Sequence, residues 1–142
     1  MTEEEKIERL VRDLHQALSW TGGKPADWPA FRRHFAPCAY LFSSGRPLVP
    51  LSVEDFIARM DAQRSSGALM SYEESVEDVR VHAFGNMAVT HITSVGHINK
   101  QDHVRTIGAI LLAKDLGKWL VVSMAWDKDS KEQNNVTSLG CP

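Results

Sequence analysis

The chain has 142 residues, 43% of them hydrophobic, with a formal charge of −2 and a pI near 6.3. This length suits one domain around one core and needs no disulfide scaffold. The 16 lysines and arginines are scattered along the chain, which leaves no basic field for phosphates and argues against a nucleic-acid partner.

The opening "MTEEEKIERL" is acidic and amphipathic, unlike the basic-then-apolar pattern of a secretory signal. No stretch reaches the roughly 18 to 20 apolar residues of a membrane span. A cytoplasmic protein with no membrane partner is therefore expected. Cys38 and Cys141 are the only cysteines; far apart, they give no zinc spacing and little reason for a bridge in a reducing compartment. Asn135, Val136 and Thr137 match a glycosylation triplet, which is read as plain chain without a secretory route.

Ile7, Leu10, Val11, Leu14, Ala17 and Leu18 recur at steps of three and four. This spacing predicts an amphipathic helix over residues 3–20, capped by Thr2 with acidic residues in its first turn. Glycines in "TGGKPADWP" break it. Asp27, followed by Trp28 and Pro29, reads as the cap of a short helix running to about Phe35, with Pro37 ending it. "CAYLF" makes a brief strand and "SSGRPLVP" a loop. Ser52 with Asp55 resembles a capping box, and Val53, Phe56, Ile57 and Met60 continue at helical spacing to about Arg64. From Leu69 the period falls to two, predicting strands over 70–84, 87–98, 103–114 and 118–128. Residues 1–128 are read as a single domain and 129–142 as a flexible tail.

Helices first and a strand meander afterwards imply an α+β domain, with three N-terminal helices on the concave face of a curved, mostly antiparallel sheet. The segments "DWPAFRRHFAPCAYL", "LSVEDFIARM" and "LLAKDLGKWLVVSMAWD", in this order of elements, resemble the nuclear transport factor 2-like, or cystatin-like α+β cone, superfamily, close to its SnoaL-like branch. The likeness covers about residues 5–128. It implies a cone fold and frequent dimerisation, but no single reaction, because that superfamily includes isomerases, hydratases, cyclases, transport adaptors and assembly modules.

Gly85 and Asn86 form a two-residue, glycine-first hairpin loop, so Phe84 is paired with Met87 and the faces are counted outward. Arg80, His82, Phe84, Met87, Val89, His91, Val95 and His97 share one side. Val79, Val81, Ala83, Ala88, Thr90, Ile92 and Gly96 share the other. Pairing His97 with His103 extends the first side through Arg105, Ile107, Ala109 and Leu111; a one-residue slip in this turn would reverse the faces and make His91 the first catalytic suspect. With "DLGK" as the third turn, Leu120, Val122, Met124 and Trp126 join that side, whereas Trp119, Val121, Ser123, Ala125 and Asp127 join Thr106, Gly108 and Ile110. The small-residue side is assigned to a ligand cavity beneath the helices and the bulky side to a homodimer contact. This requires Met124 and Trp126 to lie on the outer side.

His91 and His97 stand six residues, roughly 20 Å of strand, apart and so cannot share one metal. No metal site and no cofactor are expected. A shallow site of His97, His103 and Asp102 at the sheet edge is held in reserve, while His91 and His82 are read as polar interface residues. Asp127 is the leading catalytic candidate: on the small-residue face, desolvation would raise its pKa and suit it to shuttle a proton. The SnoaL-like resemblance also implies an aspartate in that role. Tyr40 or His34 could polarise an oxygen. Arg105, in an otherwise apolar strand, needs a carboxylate, a carbonyl or water at the sheet edge: an acidic ligand is one possibility, and Glu77 or Asp78, pairing with it or with its counterpart in a partner subunit, is another. The proposed cavity wall consists of Trp28, Phe31, Phe56, Tyr72, Thr90, Ile92, Thr106, Trp119 and Ser123.

No nucleophile elbow, phosphate loop or dinucleotide fingerprint is present in the sequence. Three functions therefore stay open. One is a dimeric cone that binds a small, largely apolar molecule. Another is a cofactor-independent isomerase, cyclase or hydratase using Asp127. The last is an interaction module whose cavity is closed by its own side chains.

Overall fold

A computed structural model describes residues 1–22 and 24–129. The elements run α1 (Glu3–Ala17), α2 (Trp28–Arg32), β1 (Phe35–Phe42), β2 (Pro50–Ser52), α3 (Val53–Ser65), β3 (Tyr72–Phe84), β4 (Met87–Ile98), β5 (Asp102–Asp115) and β6 (Lys118–Lys128). The expected tail lies almost wholly outside the described residues, as do Cys141 and the Asn135 triplet. No described helix is long and apolar enough to cross a membrane.

Each helix starts where a short polar side chain caps it. Thr2 Oγ1 accepts from the Glu5 N–H at 3.1 Å, and Glu5 Oε1 accepts from the Thr2 N–H at 2.9 Å, completing a capping box. Asp27 accepts from the Ala30 N–H at 3.2 Å, with Pro29 in the first turn of α2. Ser52 accepts from the Asp55 N–H at 3.0 Å. The apolar stripe of α1, including Ile7, Val11 and Leu14, is buried, and the helix packs chiefly on β3.

The strands form one six-stranded sheet in the order β2-β1-β6-β5-β4-β3. All neighbours are antiparallel except β1 and β6. The Gly85–Asn86 turn is as expected, with Phe84 opposite Met87 and Gly85 at φ +62. His97 does pair with His103. β2 replaces part of the expected loop. Pro37 lies inside β1 rather than before it, and the β1–β6 register is irregular between Phe35 and Tyr40, which relieves the ladder of proline's missing donor.

β6 departs from strict alternation. Leu112 faces Val121 and Leu111 faces Ser123, so Val122 is an extra residue in a β-bulge. Trp119 and Val121 point to the helices as expected, but every later residue changes side. Met124 and Trp126 turn inward: Met124 is buried, and the Trp126 ring meets Phe56 with centroids 5.7 Å apart. Ser123, Ala125 and Asp127 therefore lie on the outer face, which corrects their assignment to the helix-covered side. Arg105 finds Glu77 Oε1 at 2.6 Å and Asp129 Oδ2 at 3.0 Å on this outer face.

Glu3 ties α1 to the β5–β6 hairpin. Its Oε1 accepts from Lys114 Nζ at 2.7 Å and Trp119 Nε1 at 3.0 Å, while Oε2 meets Lys6 at 2.9 Å. The hydrogen bond from Lys114, then those from Lys6 and Trp119, hold its carboxyl down at about 2 from an ordinary 4.5. A depressed folded-state pKa contributes stability that is present above the ordinary value and disappears as pH falls through the folded one. Glu3→Gln should therefore be less stable than the native chain at pH 7. The gap should narrow between pH 4.5 and 2, as measured by urea denaturation across that range.

Candidate functional site

Beneath the helices the described residues form an apolar core. Between α2, α3 and the β1–β6 end of the sheet, Phe31 stacks on Phe56 at 5.5 Å and meets Trp28 edge-on at 5.4 Å. Such ring pairs add to their area burial. Trp28, Phe31, Phe56, Thr90, Ile92 and Trp119, all predicted cavity-wall residues, are buried members or neighbours of this core. Thr106 shares their side, opposite Ser94. Towards the other end, Tyr72 lies against Trp20, centroids 5.8 Å apart. It also covers Gly96, where an added Cβ would stand 2.9 Å from the Tyr72 hydroxyl. That hydroxyl donates to Glu74 Oε2 at 2.8 Å. Burial, then the Glu74 charge, pushes its pKa far above the usual tyrosine value.

The three predicted catalytic residues do not converge. Asp127 is exposed on the outer face, where its Oδ1 accepts from the Lys128 N–H at 2.8 Å. Tyr40 is also on the outer face, opposite Ser123. His34 follows α2 and is half-buried. Burial chiefly lowers its pKa, opposed by Asp13 and assisted by Arg33 and Lys118.

The outer face instead carries an open hollow of about 530 Å³. Two cross-strand rows build it. Arg80, His91, Ala109 and Ala125 stand opposite one another across β3 to β6, and Thr93, Ile107 and Asp127 follow in the next row, with Asp78 at its β3 end. Ala109 and Ala125 are the small residues that leave the depression, while Arg46 reaches its rim from the β1–β2 loop. Asp78 holds Arg80 at 3.1 Å. Asp127 and His91 thus border one site. Sequence reasoning placed His91 and Ala109 correctly but set Asp127 and Ala125 on the opposite side. The period-two pattern of β3 to β5 marks most of these rows, whereas only the Val122 bulge brings in their β6 members.

No protein-family model and no curated protein sequence matches the chain. Solved structures do. An NTF2-like protein of unknown function from Pseudomonas putida KT2440 superposes with a TM-score of 0.71 at 17% identity, covering 97% of this chain and 96% of that one. A cystatin-like-fold protein of unknown function from Nostoc punctiforme gives 0.69 at 13% identity, covering 91% and 94%. A protein of the NTF2-like family from Streptomyces avermitilis, provisionally assigned as a dehydratase, gives 0.69 at 11% identity, covering 89% and 96%. The architecture is therefore that of a small α+β cone. The chain has the nuclear transport factor 2-like, or cystatin-like, fold.

Within the interior, Thr90 Oγ1 is buried with no hydrogen-bond partner among the described residues, a state that costs roughly 1–3 kcal/mol. Thr90→Val should raise stability by about 1 kcal/mol in chemical denaturation. Gly96→Ala should lower it by about 1–3 kcal/mol because its Cβ overpacks Tyr72. Gly108→Ala, whose Cβ would meet nothing nearer than 3.5 Å, should change little.

Proposed function

We propose that the protein is a small-molecule-binding homodimer in which the outer sheet face is the pairing surface and the hollow on that face receives the ligand. The hollow is the observation that carries this reading. Its volume of about 530 Å³ falls within the range of small-molecule sites, and it combines an apolar floor with a few polar groups at the rim. It suits a molecule with a small apolar body over Ala109, Ala125 and Ile107 and an acidic or hydrogen-bonding group directed to Arg46 and His91. The pairing half of the reading draws on Tyr40, Phe84, Met87, Ile107 and Leu111, which lie on this face with 42% to 50% of their surface exposed. A sheet face with so many exposed apolar side chains is characteristic of an interface.

A second reading is favoured by the common rim of Asp127 and His91. A carboxylate and an imidazole bordering one hollow can move a proton on a bound molecule without a cofactor, as the SnoaL-like resemblance implies for an isomerase, cyclase or hydratase. In that case Asp127→Asn would retain the ligand and lose turnover.

Native mass spectrometry of the protein as purified from cells tests the ligand site. The unaltered chain should carry a bound species, and Ala125→Trp, which fills the floor, should not. A species retained by Ala125→Trp would place the ligand elsewhere. For the pairing surface, light scattering should report a dimer for the unaltered chain and a monomer for Leu111→Arg; a monomeric unaltered chain would refute the dimer.

A further inference from the structure

Two of the six histidines meet on the outer face beyond the hollow. His97 on β4 stands directly opposite His103 on β5, and their rings lie edge to face with centroids 4.5 Å apart and planes at 74°. The turn between them is fixed: Asn99 and Lys100 adopt positive φ, and Asn99 Oδ1 accepts from the N–H groups of Met70 at 2.7 Å and Ser71 at 3.2 Å. The two imidazoles are therefore presented at a hairpin end that Asn99 ties to the entry of β3. No hydrogen bond from a described residue engages either ring.

Two imidazoles bound cis to one ion, each with a metal–nitrogen distance of about 2.1 Å, place their ring centroids about 4.5–5 Å apart. The observed spacing already meets that requirement, so only rotation about the side-chain torsions is needed to aim a nitrogen from each ring at one point. We propose that His97 and His103 form a two-histidine site for a divalent transition-metal ion of the class that imidazole prefers, Cu(II), Ni(II) or Zn(II).

The surroundings support a cation there. Glu73 stands directly opposite His97 on β3 and adds negative charge beside the pair. Arg105, two residues beyond His103 on the same face, would oppose a cation, but Glu77 and Asp129 engage its guanidinium. Asp102 pairs with Ile98 and belongs to the opposite side, so the three-ligand set held in reserve from the sequence does not assemble. Among the described residues no group of three or more His, Cys, Asp or Glu is placed to hold an ion. The two histidines thus supply the protein ligands, and water takes the remaining positions.

Edge-to-face packing of two neutral rings would account for the contact alone, and a titration separates the alternatives. The full chain, free of any polyhistidine tag and stripped with chelator, is titrated with Cu(II), Ni(II) and Zn(II) by calorimetry, with visible absorption following Cu(II). One ion per chain is expected, Cu(II) binding most tightly. His97→Ala and His103→Gln should each weaken binding by at least the roughly tenfold that loss of even an outer-shell partner costs. His82→Ala, on the same face outside the pair, should leave it unchanged. His103 is exposed, so its replacement spares the fold, and circular dichroism checks His97→Ala. No binding to the unaltered chain, or undiminished binding by His103→Gln, overturns the proposal. Metal binding is counted per chain, and light scattering on the same samples reports the oligomeric state, so this site and the proposed function fail separately.

Discussion

Side chains along a strand alternate between two faces, so one unpaired residue reverses everything that follows it. On β6 that residue is Val122, between Val121 opposite Leu112 and Ser123 opposite Leu111. The bulge sends Met124 and Trp126 under the helices, where Trp126 closes on Phe56, and turns Asp127 to the outside. Unbroken alternation would have left a tryptophan and a methionine on the outer face and placed a carboxylate among apolar side chains, where an ionised group is costly without a partner. The core and the outer hollow therefore depend on the same local irregularity.

Features governed by neighbours in sequence were legible. Thr2, Asp27 and Ser52 announce helix starts because a cap bonds to a backbone N–H only a few residues on. Gly85 and Asn86 define a hairpin, and with it the faces of β3 and β4, because turn chemistry determines register. The bulge was not legible. "LVVSM" carries no residue that marks Val122 as unpaired, and the deviation arises from what the strand must bury. β2 was hidden for a related reason: Pro50 pairs with Phe42, a contact set by tertiary closure at the sheet edge, where proline is tolerated.

The inner face shows a different limit. Thr90 and Ile92 were placed on the correct side of the sheet, yet their side alone does not distinguish a ligand wall from core. That distinction depends on how closely the helices descend; here Phe31 of α2 and Phe56 of α3 stack on each other with centroids 5.5 Å apart. Similar solved structures share this architecture at 10% to 22% identity. The fold therefore rests on the pattern of apolar and turn positions more than on particular residues, and function has to be sought in the groups the fold presents.

The pairing and the ligand binding proposed for the outer face would be physically coupled. If a second copy covers Tyr40, Met87 and Leu111, the charged rows between them lose water as well. Arg80 and Asp78 already hold each other, so that pair carries its compensation into the interface. Among the described residues Asp127 has only the Lys128 N–H, and His91 has no hydrogen-bond partner from its own strand. Covering them without replacement hydrogen bonds costs free energy that apolar contact must offset. A bound molecule that satisfies them removes that cost, so ligand and second copy would each strengthen the other's hold on the face, and by the same factor in both directions.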